Sequence, residues 1–366
     1  MKLIFFITAF FLVSIRVYFS WSGMERAKRG ESEYNMVIKS NGNYEEMNYA
    51  GKLKLTEDES SFKSISSGGY YKFRKNDIKV SAVSNLKGEI EYTIYDGKSY
   101  LPLNDEGKKI LAQAIREMIL WGFDADIRME RIYQQGGVAS VLNEVDSLKP
   151  DQVKISYLNY LFSIDSLFPE FLPVIIKKAA ALGSDGDKVK FLSKISSDQL
   201  RNKQTDSAYF AIIEGLGSDI DKLNALQYFL DNDSLNNSNT QRVMSVGESI
   251  SSDFDRATLF NKMIDRRLIN GNLCDSLIEY ISRIGSESDQ MNLYRKLFLY
   301  KSLSEMQWIK LQDKISEMGS DMNKSNLLTE LAENMPKTEA LRVNYQKAAK
   351  TIRNDGDYGR AMRAIQ

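Results

Sequence analysis

The quartet "LGSD" at residues 182–185 returns unchanged at 216–219, and looser forms follow at the same interval: "ISSD" at 250–253, "IGSE" at 284–287 and "MGSD" at 318–321. Ser184, Ser218, Ser252, Ser286 and Ser320 therefore stand 34 residues apart without a slip. The acid after each Ser keeps the register further, from Asp151 through Asp185, Asp219, Asp253, Glu287 and Asp321 to Asp355. Seven residues beyond each acid come Leu158, Leu192, Leu226, Phe260, Tyr294, Leu328 and Met362, and ten beyond it Leu161, Ile195, Phe229, Met263, Leu297, Leu331 and Ile365. Apolar residues so placed line one face of an amphipathic helix. A second helix follows a polar loop, as in "DSAYFAIIEGLG", "CDSLIEYISRIG" and "EMQWIKLQDKISEMG". A pair of short helices cannot bury its apolar faces alone, so neighbours must stack, and the period predicts an α-solenoid. The Trp, Leu-Gly, Tyr, Ala and Phe signature of tetratricopeptide repeats is missing, which makes a HEAT-like hairpin the nearer description.

The repeated letters themselves predict helix caps. Ser184, Ser218, Ser252, Ser286 and Ser320 can each accept a hydrogen bond from a first-turn N–H. The acid three residues on, Asp187, Asp221, Asp255 or Asp289, is expected to reciprocate in a variant of the capping box. The acid directly after each Ser faces the positive end of the helix dipole. Gly183, Gly217, Gly285 and Gly319 close the preceding helix and suit a left-handed C-terminal residue.

Ahead of the repeats, residues 34–103 read as a meander of five or six antiparallel strands, built from "GKLKLT", "GGYYKFRK", "DIKVSAV" and "EIEYTIYDGKSYLPL". Asp96-Gly97 is a hairpin signal of the type I′ kind, and Gly68-Gly69 marks another turn. The stretch "NDEGKKILAQAIREMILWGF" supplies a covering helix, with Asn104 as cap and Ile110, Leu111, Ile115 and Ile119 on its apolar face. The expected class is α+β: a β domain over 34–103, a covering helix and first hairpin over 104–149, and a solenoid over 150–366. Its repeats start near 150, 184, 218, 252, 286 and 320, with a partial one from 354.

Composition removes whole classes of function. The 366-residue chain carries 49 Lys plus Arg and 49 Asp plus Glu with no long run of either sign, which argues against a nucleic-acid groove. It has no histidine, so triads with a His base, HExxH zinc sites and Cys2His2 fingers are excluded. Its one cysteine, Cys274, cannot form an internal disulfide and sits in an apolar-patterned run as a small buried hydrophobe. Residues 1–22 read as an export signal, Lys2 followed by "LIFFITAFFLVSI" and small residues, with an uncleaved membrane anchor as the alternative.

No residue stands out as catalytic, cofactor-binding or metal-ligating. The pairs Asp185 with Asp187 and Asp355 with Asp357 fall short of the six to eight oxygens calcium prefers, and read as helix starts. "DNDSLNNSN" at 231–239 opens like a calcium loop but has Leu235 and Asn236 where an oxygen ligand and the sharp-turn Gly belong. Glu89 and Glu91 share a strand face, where carboxylates normally meet solvent. Nucleotide-binding glycine loops are absent.

The order "GGYYKFRK", "GEIEYTIYDGK", "WGFDADIRMERIYQQGGVASVLNEVDSL" and then "SD" repeats resembles poorly characterised bacterial envelope proteins, and a module attached in some relatives to membrane metallopeptidases of the β-lactam-sensing type. The resemblance spans residues 34–366 and implies an extracytoplasmic sensory or scaffolding module. Without histidine, this chain departs from the peptidase relatives, and no protease role carries over. The expectation is a non-enzymatic exported protein, periplasmic or extracellular, that needs no cofactor and offers a helical-repeat surface to a protein or peptide. A regulatory subunit of an envelope signalling system is the next reading, and a hydrolase or lyase using carboxylates, Tyr or Lys the third.

Overall fold

The computed structural model describes residues 33–40, 43–164, 170–196, 198–231, 237–300 and 302–366. The proposed leader, residues 1–22, and the core of the 231–239 stretch lie outside them. The fold is α+β, an antiparallel β region followed by a series of helical hairpins, and the chain divides into two compact units, residues 1–167 and 168–366.

Unit 1 holds a six-stranded antiparallel sheet in the order β1 (Tyr34–Ser40), β2 (Asn43–Ala50), β5 (Tyr70–Lys75), β6 (Ile78–Ser84), β7 (Ile90–Asp96), β8 (Ser99–Leu101). The short strands β3 (Leu53–Leu55) and β4 (Phe62–Ile65) form a separate hairpin between β2 and β5. "GKLKLT" thus leaves the sheet instead of extending the meander. Its Leu53, together with Phe62 and Ile65, turns into the core, while the charged positions between them face outward. Alternation does the same in the main sheet: Tyr71 and Phe73 of β5 are buried, and Lys72 and Arg74 are exposed. Asp96 pairs with Ser99, so the last hairpin turns on Gly97 and Lys98, one residue later than the Asp-Gly signal suggests. Gly97 alone takes a positive φ, of 60°, which is the type II′ pattern with Gly first rather than type I′.

Helix α1 (Asp105–Leu120) covers this inward face with Leu111, Ala114, Ile115, Met118 and Ile119. Asn104 caps it by accepting from the N–H groups of Glu106 and Gly107, both at 3.1 Å. The Tyr71 hydroxyl donates to the Ala114 carbonyl at 2.7 Å, so this fully buried ring carries no orphaned polar atom. After α1, Gly122 takes a φ of 98° and lies so close to Val153 that a side chain there would meet it at 2.5 Å. The chain then enters α2 (Ala125–Ser147), interrupted at Gly137, and α3 (Asp151–Phe162).

Arg128 of α2 is only 3% exposed and carries the main polar contact of unit 1. It clamps Glu59, in the β3–β4 turn, with Nε at 2.7 Å and Nη2 at 3.1 Å. It also reaches Glu144 at 2.9 Å and the Tyr157 hydroxyl of α3 at 3.2 Å. Arg116 of α1 holds the other side of Glu144 through a two-toothed contact at 2.9 and 3.2 Å. Through Tyr157 the network ties α3 to α2 within unit 1, residues 1–167.

Unit 2 is the repeat array. Its first-helix layer consists of α5 (Asp185–Leu192), α7 (Asp219–Leu230), α9 (Asp253–Asp265), α11 (Glu287–Phe298), α13 (Asp321–Asn334) and α15 (Asp355–Ala364), each packed on the next. The second layer contains α4 (Leu172–Ala179), α6 (Lys203–Glu214), α8 (Asn237–Glu248), α10 (Gly271–Ser282), α12 (Glu305–Ser316) and α14 (Glu339–Ala349). The columns read from the sequence form the seam between layers: Leu192, Leu226, Phe260, Tyr294 and Leu328 are all buried, as are Phe229, Met263, Leu297 and Leu331. Four residues after Asp321, the buried Ser325 hydroxyl donates to the Asp357 carbonyl of the following repeat at 2.8 Å.

Replacing Arg128 by Ala leaves the carboxylates of Glu59 and Glu144 without their buried cation, and should cost about 3–5 kcal/mol by urea denaturation. Arg116→Ala, at a side chain 42% exposed, should cost much less.

Candidate functional site

The residues singled out in the sequence meet along one edge of unit 2, where the first helices begin. Ser184, Ser218, Ser252 and Ser286 accept through Oγ from the N–H groups of Asp187, Asp221, Asp255 and Asp289 at 3.2, 3.3, 3.2 and 3.3 Å. Ser320 does so from Asn323 at 3.3 Å, and Asn354 takes the serine's place at α15, accepting from Asp357 at 3.0 Å.

The expected reciprocal half of the box is replaced by a longer connection. At Ser218, Ser252, Ser320 and Asn354 the cap N–H is directed to the acid of the previous repeat. Ser251 and Ser252 both donate to Asp219 Oδ2 at 3.0 Å, and Arg353 and Asn354 both donate to Asp321 Oδ2 at 3.0 Å. Gly319 and Ser320 donate to Glu287 Oε1 at 2.6 and 3.2 Å, and Gly217 to Asp185 Oδ2 at 2.7 Å. With the Ser252 N–H already taken by Asp219 and the Ser218 N–H by Asp185, the carboxylates of Asp255 and Asp221 have no box to close. Among the described residues both halves close at Ser304 and Gln307, at the start of α12.

The glycines serve this same contact. None of Gly183, Gly217, Gly285 and Gly319 has a positive φ, contrary to the left-handed role their position suggests. A side-chain carbon at Gly285 would lie 2.9 Å from Asp253 Oδ2, and one at Gly319 3.1 Å from Glu287 Oε1. Glycine is there because an acid from the neighbouring repeat occupies the space.

The edge also exposes apolar groups. The residue after each linking acid is Gly186, Ile220, Phe254, Ser288, Met322 or Gly356, and the three large ones are 53%, 70% and 56% exposed. Beside them the turn's cations go elsewhere: Lys188 pairs with Asp185 at 3.0 Å and Arg256 with Asp253 at 2.5 Å. Asp187, Asp221, Asp255 and Asp289 make no ion pair among the described residues, so each of these steps offers an unneutralised carboxylate.

Other positions from the sequence stay separate. Glu89 and Glu91 are both exposed, and Glu89 is held by the Asn85 amide at 2.9 Å. Asp231 pairs with Lys262 at 2.7 Å. Cys274 is buried on α10, where burial pushes its thiol up to about 12. A cavity of about 710 Å³ in unit 2 has a single carboxylate in its lining, Asp265, tied to Lys296 at 2.7 and 2.8 Å. Among the described residues no group of three Cys, Asp or Glu could hold a metal ion. The exposed row of Ile220, Phe254 and Met322 was readable from the 34-residue register but is recognisable as surface only once the layers are assigned. No family model matches the chain, and no curated protein matches it.

Two measurements check the edge. Asp219→Ala removes the acceptor of two backbone N–H groups and should destabilise unit 2 by about 1–2 kcal/mol, whereas Asp221→Ala should stay within about 0.5 kcal/mol; denaturant unfolding of both variants separates them. The second concerns acid. Burial pushes the carboxyls of Asp185 and Glu287 up, but hydrogen bonds from Lys188 and Gly217 to the first, and from Asn323, Gly319 and Ser320 to the second, outweigh it and hold both below their ordinary 3.8 and 4.5. A carboxyl depressed in the folded state contributes stability that is complete above its unfolded pKa and is lost as pH falls through the folded value. Stability should therefore hold from neutral pH to about 4.5 and decline below it, less so in Glu287→Gln, as followed by thermal melts across that range.

Proposed function

We propose that this protein is a non-enzymatic binding protein whose repeat unit offers the capping edge to a protein or peptide partner. The observation that carries this reading is the set of exposed apolar side chains, Ile220, Phe254 and Met322, at matching places in three of the first helices, with Ser288 at that place in the helix between the last two, beside unpaired carboxylates. Large apolar groups in register on an otherwise polar edge mark an interaction surface more often than scattered ones do. Repeat arrays present extended surfaces suited to chains instead of small molecules. The chemistry favours a partner with apolar anchors flanked by Lys or Arg, since Asp221, Asp255 and Asp289 would oppose its cations. The carboxylates follow one another repeat by repeat and do not converge, which supports binding over carboxylate catalysis.

The leader-like residues 1–22 and the resemblance to bacterial envelope modules support export, with the partner in the envelope or outside it. A photo-crosslinking phenylalanine analogue at position 254, expressed in the native cell, should yield a discrete adduct with one partner. That adduct should vanish in an Ile220→Ser/Met322→Ser background, while thermal melts stay unchanged. A failure to form any discrete adduct from positions 220, 254 and 322 would contradict the reading.

A further inference from the structure

The β3–β4 hairpin and the first turns of α2 enclose a cavity of about 350 Å³, at the small end of ligand-site volumes. Its charge is lopsided. Lys52, Lys54, Lys63, Arg128 and Arg131 line it against two carboxylates, Glu59 and Asp124, in a chain whose formal charges cancel as a whole. Glu59 is already spent: both its oxygens are held by Arg128, and Arg131 contacts it as well. Lys54 on β3 and Lys63 on β4 are exposed and make no ion pair among the described residues. Both stand on the β3–β4 hairpin, exposed where Leu53, Phe62 and Ile65 are buried, and both line the cavity. Like charges held close around a concavity repel one another unless an anion enters. Between the charges the lining has apolar members: Leu55 is half-buried, and Ile127 is 58% exposed on the first turn of α2.

We propose that this cavity binds a small organic anion, a carboxylate or phosphate on a short apolar body, with Lys54, Lys63 and Arg131 facing the charge and Leu55 and Ile127 the body. Asp124 is the opposing group. It starts α2 at a left-handed φ of 55° with its carboxylate making no cap bond, and it lines the same space. Its negative charge weakens any anion there, so neutralising it strengthens binding. The inference uses unit 1 alone and does not depend on the repeat edge.

Titration calorimetry of the full chain with phenyl phosphate, benzoate and inorganic phosphate tests it, the three probes separating phosphate from carboxylate and head group from body. Saturable one-to-one binding of phenyl phosphate or benzoate is expected. It should weaken about tenfold or more in Lys54→Gln/Lys63→Gln and tighten severalfold in Asp124→Asn. Ile127→Ser should weaken phenyl phosphate but leave inorganic phosphate as it was. Circular dichroism of each variant establishes that it is folded. Absence of saturable binding by both organic anions, or a folded double-lysine variant that binds as tightly as the parent, overturns the proposal.

Discussion

The hydrogen bond from the cap of one repeat to the first acid of the repeat before it is the constraint on which unit 2 depends. An acid at the first helical position reaches backbone N–H groups 32 and 33 residues later, so the separation between helix starts has no slack. Such a bond is charge-assisted, and the carboxylate lies near the positive ends of two helices at once, its own and its neighbour's. It satisfies N–H groups that a helix start would otherwise leave to water. The Ser oxygen takes a further N–H within its own turn, and the two devices divide the orphaned donors between them. A repeat of 33 or 35 residues would break this division, and the apolar columns would lose register with it.

Unit 1 uses the opposite means. There one buried cation joins elements far apart in the chain: Arg128 meets Glu59 across 69 residues and Tyr157 across 29. Buried ion pairs add little stability compared with well-packed apolar groups, but they are severe about geometry, since a misplaced partner leaves a charge unpaired. The β3–β4 turn, with Glu59 at a positive φ of 55°, is held in place by that severity. One consequence is a cavity wall whose arginines are fixed before any ligand arrives.

The repeats were legible because period is a property of the sequence itself. The serine caps followed from the letters, as did the buried columns ending in Leu328 and Leu331. What escaped was every feature whose partner lies in another repeat or element. The three-residue spacing of Ser252 and Asp255 suggests a local box, yet the Ser252 N–H is taken by Asp219. Gly285 looked like a left-handed stop because glycine often is, while its actual requirement is room for Asp253. The alternation of "GKLKLT" marked a strand correctly without revealing that this strand pairs outside the main sheet. Arg128 sat unnoticed in a helical run, since nothing local distinguishes a buried arginine from a solvated one.

Backbone-to-acid bonds set the spacing between helix starts, and the exposed Ile220, Phe254 and Met322 each stand one residue past such an acid. Native-state hydrogen exchange of the cap amides reads the central claim most directly. The account predicts that the N–H groups of Gly217, Ser252, Ser320 and Asn354 exchange slowly, with protection comparable to helix interiors, and that Ser252 alone loses it when Asp219 is replaced by Ala. Cap amides that exchange at the rate of open loops in the unaltered protein would contradict it.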